Sequence, residues 1–172
     1  MHLGRIVTVV GSVLAIIGLG LKSASSAGEE FLPAMNAVEP AFPTGFDLSL
    51  IALWNDNPAA AGIFLIALIV VLGVSLLPDI KEAMSRMNAL VVTVLGVVMM
   101  VIGGLATMGA LDDADALTAG FANAAAAGAI HQAFTVAAGW GWYMLALGGA
   151  VAAIGGVLQL IARSDESALS DD

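Results

Sequence analysis

The chain has no cysteine, which excludes a disulfide framework, a thiolate metal site and a cysteine nucleophile. Charge is almost as scarce: 11% of the 172 residues are Asp, Glu, Lys or Arg, against roughly 25% in an average soluble domain. Only five residues are basic against fourteen acidic, giving a net charge of −9 with no basic stripe, so nucleic acid is excluded as a partner. What fills the sequence is apolar: 60% hydrophobic residues and a mean hydropathy of +0.99. That composition points to an integral membrane protein rather than a soluble enzyme or a disordered chain.

Four uncharged stretches are long enough to cross a hydrocarbon core of ~30 Å, which takes about 20 helical residues. They predict spans at about 4–22, 58–78, 87–108 and 139–162. None alternates with period two, so they read as helices and not as barrel strands. Asn57-Pro58 supplies a cap and a first-turn proline for the second span, and Pro78 stops it. Arg5, the apolar run and Ser23-Ala24-Ser25-Ser26-Ala27 also have the layout of a secretory signal peptide; the run is read here as a retained anchor.

Arg5, Lys81, Arg86 and Arg163 fall on one side of these spans and Lys22 alone on the other, which predicts both termini in the cytoplasm. Arg5 and the other flanking charges are expected to snorkel to the interface. Trp54, Trp140, Trp142 and Tyr143 then all lie at the outer interface, as anchors whose rings sit at headgroup level. The expectation is an all-α, four-helix transmembrane domain over 1–172, N-in and C-in, with a long first extracytoplasmic loop at 23–57. In that loop the run SLIALW is open between a short surface helix capped by Asp47 and a strand. Residues 109–138 form a second outer loop with a short helix packed on the bundle, a re-entrant segment being the alternative. Glu82 and Arg86 make a helix-favouring pair in the tight hairpin between the second and third spans. Residues 164–172 form an acidic cytoplasmic tail.

Small residues recur every seven positions: Gly4, Gly11 and Gly18; Ala89, Gly96 and Gly103; Gly141, Gly148 and Gly155. Lipid tails are as apolar as leucine, so helices in a bilayer associate through close backbone approach, and this spacing predicts packing seams in a left-handed bundle. A second small-residue row, Gly148, Ala152 and Gly156, faces partly elsewhere and is the candidate partner-binding surface. The segment from Val7 to Gly18 also echoes that from Val92 to Gly103, with seven identities in twelve positions. The second and fourth spans show no matching echo, so it is read as a shared packing solution.

No ionisable residue falls deep within a span, which argues against ion transport, a proton relay or haem ligation there. Asn88, Thr93 and Gln159 lie near helix ends or satisfy themselves locally. His131 alone makes no metal site, and Asp112, Asp113 and Asp115 lack the spacing of a calcium loop. Ser12, Ser49 and Ser75 have neither an elbow motif nor a nearby base. Catalytic residues, metal and cofactors are all read as none, and the chain is not read as an enzyme.

The four spans, the long first loop, the short hairpin and Leu53-Trp54 before the second span resemble claudin-type architecture. The pair of cysteines that follows in claudins is missing, so no junction-forming role is carried over. Gly139-Trp140-Gly141-Trp142-Tyr143, with Leu147-Gly148-Gly149 and Ile154-Gly155-Gly156, is similar to the last helix of small four-span actinobacterial proteins, over about 25 residues. Some of these accompany mammalian-cell-entry (MCE) type lipid importers. The resemblance implies a non-catalytic accessory subunit in a bacterial inner membrane, with membrane lipids and a transporter permease as partners. A respiratory-chain subunit and a stand-alone lipid-binding protein are the alternatives.

Overall fold

A computed structural model describes residues 2–26, 47–76 and 84–169. Seven elements follow in order: α1 (Leu3–Gly20), β1 (Ala24–Ser26), α2 (Ser49–Asp56), α3 (Pro58–Leu76), α4 (Arg86–Ala126), β2 (Val136–Ala138) and α5 (Trp140–Leu169). Four of the helices (α1, α3, α4 and the Trp140–Ala162 part of α5) are long and apolar enough to cross a membrane. The described residues are thus mostly helical, with almost no sheet.

The SLIALW run is helical, as α2, but Asp47 does not cap it. The N-cap position is Leu48 and no side chain bonds there; the Asp47 carbonyl accepts from the Ser23 amide at 2.8 Å instead. Asn57 does cap α3, its Oδ1 accepting from the Ala60 amide at 3.0 Å. Pro78, Lys81 and Glu82 lie outside the described residues.

The expected separate short helix in the second outer loop is instead the continuation of α4. That helix runs unbroken for 41 residues from a Ser85 cap, whose hydroxyl accepts from the Asn88 amide at 3.2 Å. At 1.5 Å per residue it is about 60 Å long, twice a hydrocarbon core. No proline lies between Met108 and Ala126, and Gly109 and Gly120 there keep a helical backbone without a left-handed φ. Alanine, the best helix former, fills much of the rest, so propagation costs less than a turn. Gly128 ends it, with a left-handed φ of 74° that only glycine adopts without strain.

The distal part of α4 is braced rather than free. Leu117 and Phe121 pack with Phe134, Val136, Ala114 and Ala24 in a small core of their own, the two phenyl rings meeting edge-on with centroids 5.5 Å apart. The Thr118 hydroxyl accepts the Val136 amide at 3.0 Å. β2 then pairs antiparallel with β1, Ala24 opposite Ala138 and Ser26 opposite Val136. This two-stranded pair is absent from the sequence reading, because three-residue strands leave no periodic signal.

Candidate functional site

All nine residues of the seven-residue stripes are buried, and the structure shows what each row meets. α5 is the central helix, antiparallel to both α1 and α4. A Cβ on Gly148 would lie 2.6 Å from the Ala15 amide nitrogen, one on Gly155 2.5 Å from that of Thr8, and one on Gly18 2.9 Å from the Gly141 carbonyl. On the other flank, a Cβ on Gly96 would lie 2.5 Å from the Ala153 nitrogen and one on Gly103 2.5 Å from that of Ala146. Real Cβ atoms do not approach backbone so closely; only glycine permits these crossings.

The glycine doublets of α5 are divided between two neighbours. Gly148 and Gly155 face α1, while Gly149 and Gly156 face α4 at Met99–Met100 and Thr93. This accounts for the internal echo. Gly11 meets Ala152 where Gly96 meets Ala153, and Thr8 meets Gly155 where Thr93 meets Gly156. One packing solution is used twice, on adjacent rows of one helix.

The same contacts correct the partner-binding reading of Gly148, Ala152 and Gly156. Ala152 is fully buried, Gly148 packs on α1 and Gly156 on α4, so that row is consumed inside the chain. A second correction concerns the aromatic anchors. Trp140 is 72% exposed and Trp54 50%, and Trp140 and Tyr143 stack at 5.8 Å on the surface. Trp142 is 4% exposed, and its indole N–H donates to the Ser23 carbonyl at 2.7 Å. The Gly139 amide donates to that same carbonyl, so Trp142 locks the start of α5 to the end of α1 and does not face a bilayer. Replacing Trp142 by phenylalanine is expected to cost about 1 kcal/mol, one buried hydrogen bond. It also removes the one buried indole of three, and tryptophan emission should lose its blue-shifted component.

Two polar side chains also behave differently from the sequence reading. Arg5 does not snorkel: it is 1% exposed and its Nη1 donates to the Ser75 carbonyl, in the last turn of α3, at 3.1 Å. Its Nε has no partner among the described residues. Gln159 does not satisfy itself locally. Its Oε1 accepts from the Met84 amide at 3.1 Å and its Nε2 lies 3.0 Å from His2 Nδ1, tying α5 to the chain ahead of both α1 and α4. The hydroxyls within the spans, by contrast, bond back one turn: Thr8 to Gly4, Ser12 to Thr8, Ser75 to Val71 and Thr93 to Ala89. Such bonds satisfy a polar group without help from a neighbour.

At the Trp140 end, α2 and the start of α3 stand apart from α4 and leave a cleft of about 270 Å³. Leu53, Ala60, Ile102, Leu105 and Ala106 wall it, and Asp56 and Asp113 are its acidic residues. A narrower recess shares Asp56, Asp113 and Trp142 and is lined by Ser23. Burial and the negative charge of Asp113 push the Asp56 carboxyl above its usual range. In the sequence Asp56 falls in the first outer loop and Asp113 in the second, and nothing local pairs them. The available signal was the row Ile102, Ala106, Gly109 and Asp113, one face of a helix that was read as ending before the acid.

The fold and these contacts define the described residues as a glycine-seamed α-helical bundle, with four helices long and apolar enough to cross a membrane. No protein-family model, curated protein or solved structure matches it.

Proposed function

We propose that the protein is a non-catalytic accessory subunit of a larger integral membrane complex in a bacterial inner membrane, with both termini cytoplasmic. The observation that carries this reading is the unbroken, braced α4. A helix of about 60 Å cannot be contained in a bilayer, so its Asp112–Ala126 part projects from the membrane. Its root is a bundle cemented by backbone contact, and its distal part is stiffened by the phenylalanine core and the strand pair. A rigid projection on a solid base presents a surface at fixed height, which is what a partner with an extramembrane domain requires. Under the four-to-one distribution of basic residues the projection lies outside the cytoplasm.

An MCE-type lipid importer is the partner we favour, on the resemblance of the last helix alone. A respiratory-chain complex is the second reading.

The test is a chromosomally tagged pull-down in mild detergent, with mass spectrometry of what co-elutes at fixed ratio. Substitutions belong on the exposed side of the projection, such as Ala119→Arg and Ala122→Arg, and not on the glycine rows, where they would test folding. Recovery of a large transporter or respiratory complex at fixed stoichiometry, lost in these variants, is the expected result. Recovery of this chain alone would sink the accessory role.

A further inference from the structure

We infer that the cleft between α2–α3 and α4 is a binding site for a lipophilic ammonium, with the cationic head held between Asp56 and Asp113 and the apolar body lying along α4 toward Ile102. This goes beyond the accessory role: it shares with that reading the membrane insertion of α4, but an ammonium site in the cleft stands or falls independently of any partner complex.

Four observations carry it. Two carboxylates from different elements line one cleft, Asp56 at the end of α2 and Asp113 on α4. Burial first, and the negative charge of Asp113 second, make the ionised Asp56 carboxylate unfavourable, and a cation between the two acids offsets both. Next, Ser23 is 4% exposed, its buried hydroxyl has no partner among the described residues, and it lines the recess shared by the two acids. A buried hydroxyl left unpaired is costly, and an ammonium N–H is a donor it can accept. The third observation is the depth profile. Asp113 stands 27 residues after Arg86, the start of α4, about 40 Å along the helix and beyond a hydrocarbon core of ~30 Å. Ile102, Leu105 and Ala106 lie two to three turns lower, within it. Charge at the interface and apolar wall below is the profile of an amphiphile standing beside lipid chains.

The fourth is the groove floor. A Cβ on Gly109 would meet nothing within 4 Å, so glycine there is required neither by packing nor by a turn and leaves the groove open. A divalent metal suits the site less well. Among the described residues no three His, Cys, Asp or Glu side chains converge, whereas calcium takes six to eight oxygen ligands. A phospholipid headgroup with a phosphate is disfavoured by the two acids.

The full chain in phosphatidylcholine nanodiscs is titrated with dodecylamine, with dodecanol as the neutral match, following tryptophan emission. The expected result is a saturable change with the amine and only linear partitioning with the alcohol. Asp56→Asn and Asp113→Asn should each weaken amine binding at least tenfold, while Asp115→Asn, which does not line the cleft, leaves it unchanged. Gly109→Leu keeps both charges and closes the groove, and should also abolish saturation. Equal, non-saturable uptake in all variants would overturn the site. So would a response to calcium chloride that depends on both acids without one to the amine, assigning the pair to a metal. A Gly109→Leu chain that melts like the wild type yet binds undiminished would overturn the placement of the apolar body.

Discussion

Replacing Gly148 with leucine is expected to break the bundle apart, with a loss exceeding ~3 kcal/mol, the upper end of ordinary overpacking. The reason is the identity of the obstructing atom. A Cβ at this position would lie 2.6 Å from the Ala15 amide nitrogen and 2.7 Å from the Gly11 carbonyl. A flexible side chain could rotate away from an intruding atom; a helix backbone cannot. α1 and α5 would have to separate along their whole shared length, taking the Gly4–Gly155 and Gly18–Gly141 contacts with them. Because the Cβ itself collides, Gly148→Ala should already show most of the loss. The control is Gly62 on α3, whose Cβ would meet nothing within 4 Å. Gly62→Ala should be neutral or stabilising by up to ~1 kcal/mol, through helix propensity alone. Unfolding followed by circular dichroism in mixed dodecyl maltoside and dodecyl sulfate measures both. Equal midpoints for Gly148→Ala and wild type would refute the close approach of α1 and α5.

The second large effect is expected at Arg5, and its sign depends on what replaces it. Arg5→Ala removes a charge-assisted hydrogen bond to the Ser75 carbonyl, worth ~1.5–3 kcal/mol, and leaves a void where a fully buried long side chain stood. The guanidinium also sits at the negative end of the α3 dipole, which favours a cation. Together these predict a loss of ~3–5 kcal/mol. Arg5→Met should recover more than half of it. Methionine fills most of the volume, and it removes a buried charge whose Nε has no partner among the described residues; apolar replacement of buried charged groups is often neutral. Arg5→Lys keeps the charge but presents a compact, strongly hydrated ammonium in place of the planar fork, and should fall between the two. The same unfolding assay ranks the series. If methionine proves as damaging as alanine, the hydrogen bond to Ser75 dominates and volume counts for little.

These two positions show different degrees of legibility. The glycine rows could be read directly, because backbone approach in an apolar medium leaves a periodic trace at the crossing points. What the rows touch could not. Gly148 and Gly149 are neighbours in sequence and face different helices, and the small-residue row at 148, 152 and 156 looked like a free face until its occupants were known. Arg5 looked like a snorkelling flank because its distance from α3, 70 residues away in sequence, leaves no local signal. Trp142 was grouped with Trp54 and Trp140 by its position near a helix end. Depth along the chain is readable; direction around the axis, when a helix has neighbours on two sides, is not.

By itself the sequence determined a helical chain of membrane-spanning composition, the cap at Asn57 and the rows on which its helices cross. These follow from local rules: apolar runs of bilayer length, hydrogen-bonding side chains at helix starts, and glycine where backbones meet. Tertiary structure alone decided that α5 is central and splits its glycine doublets between α1 and α4. It also decided that α4 runs on past the bilayer length under the brace of Phe121, Phe134 and the strand pair, and that Asp56 and Asp113 share one cleft. Each of these depends on contacts between residues far apart in the chain, and such contacts reward only the assembled bundle.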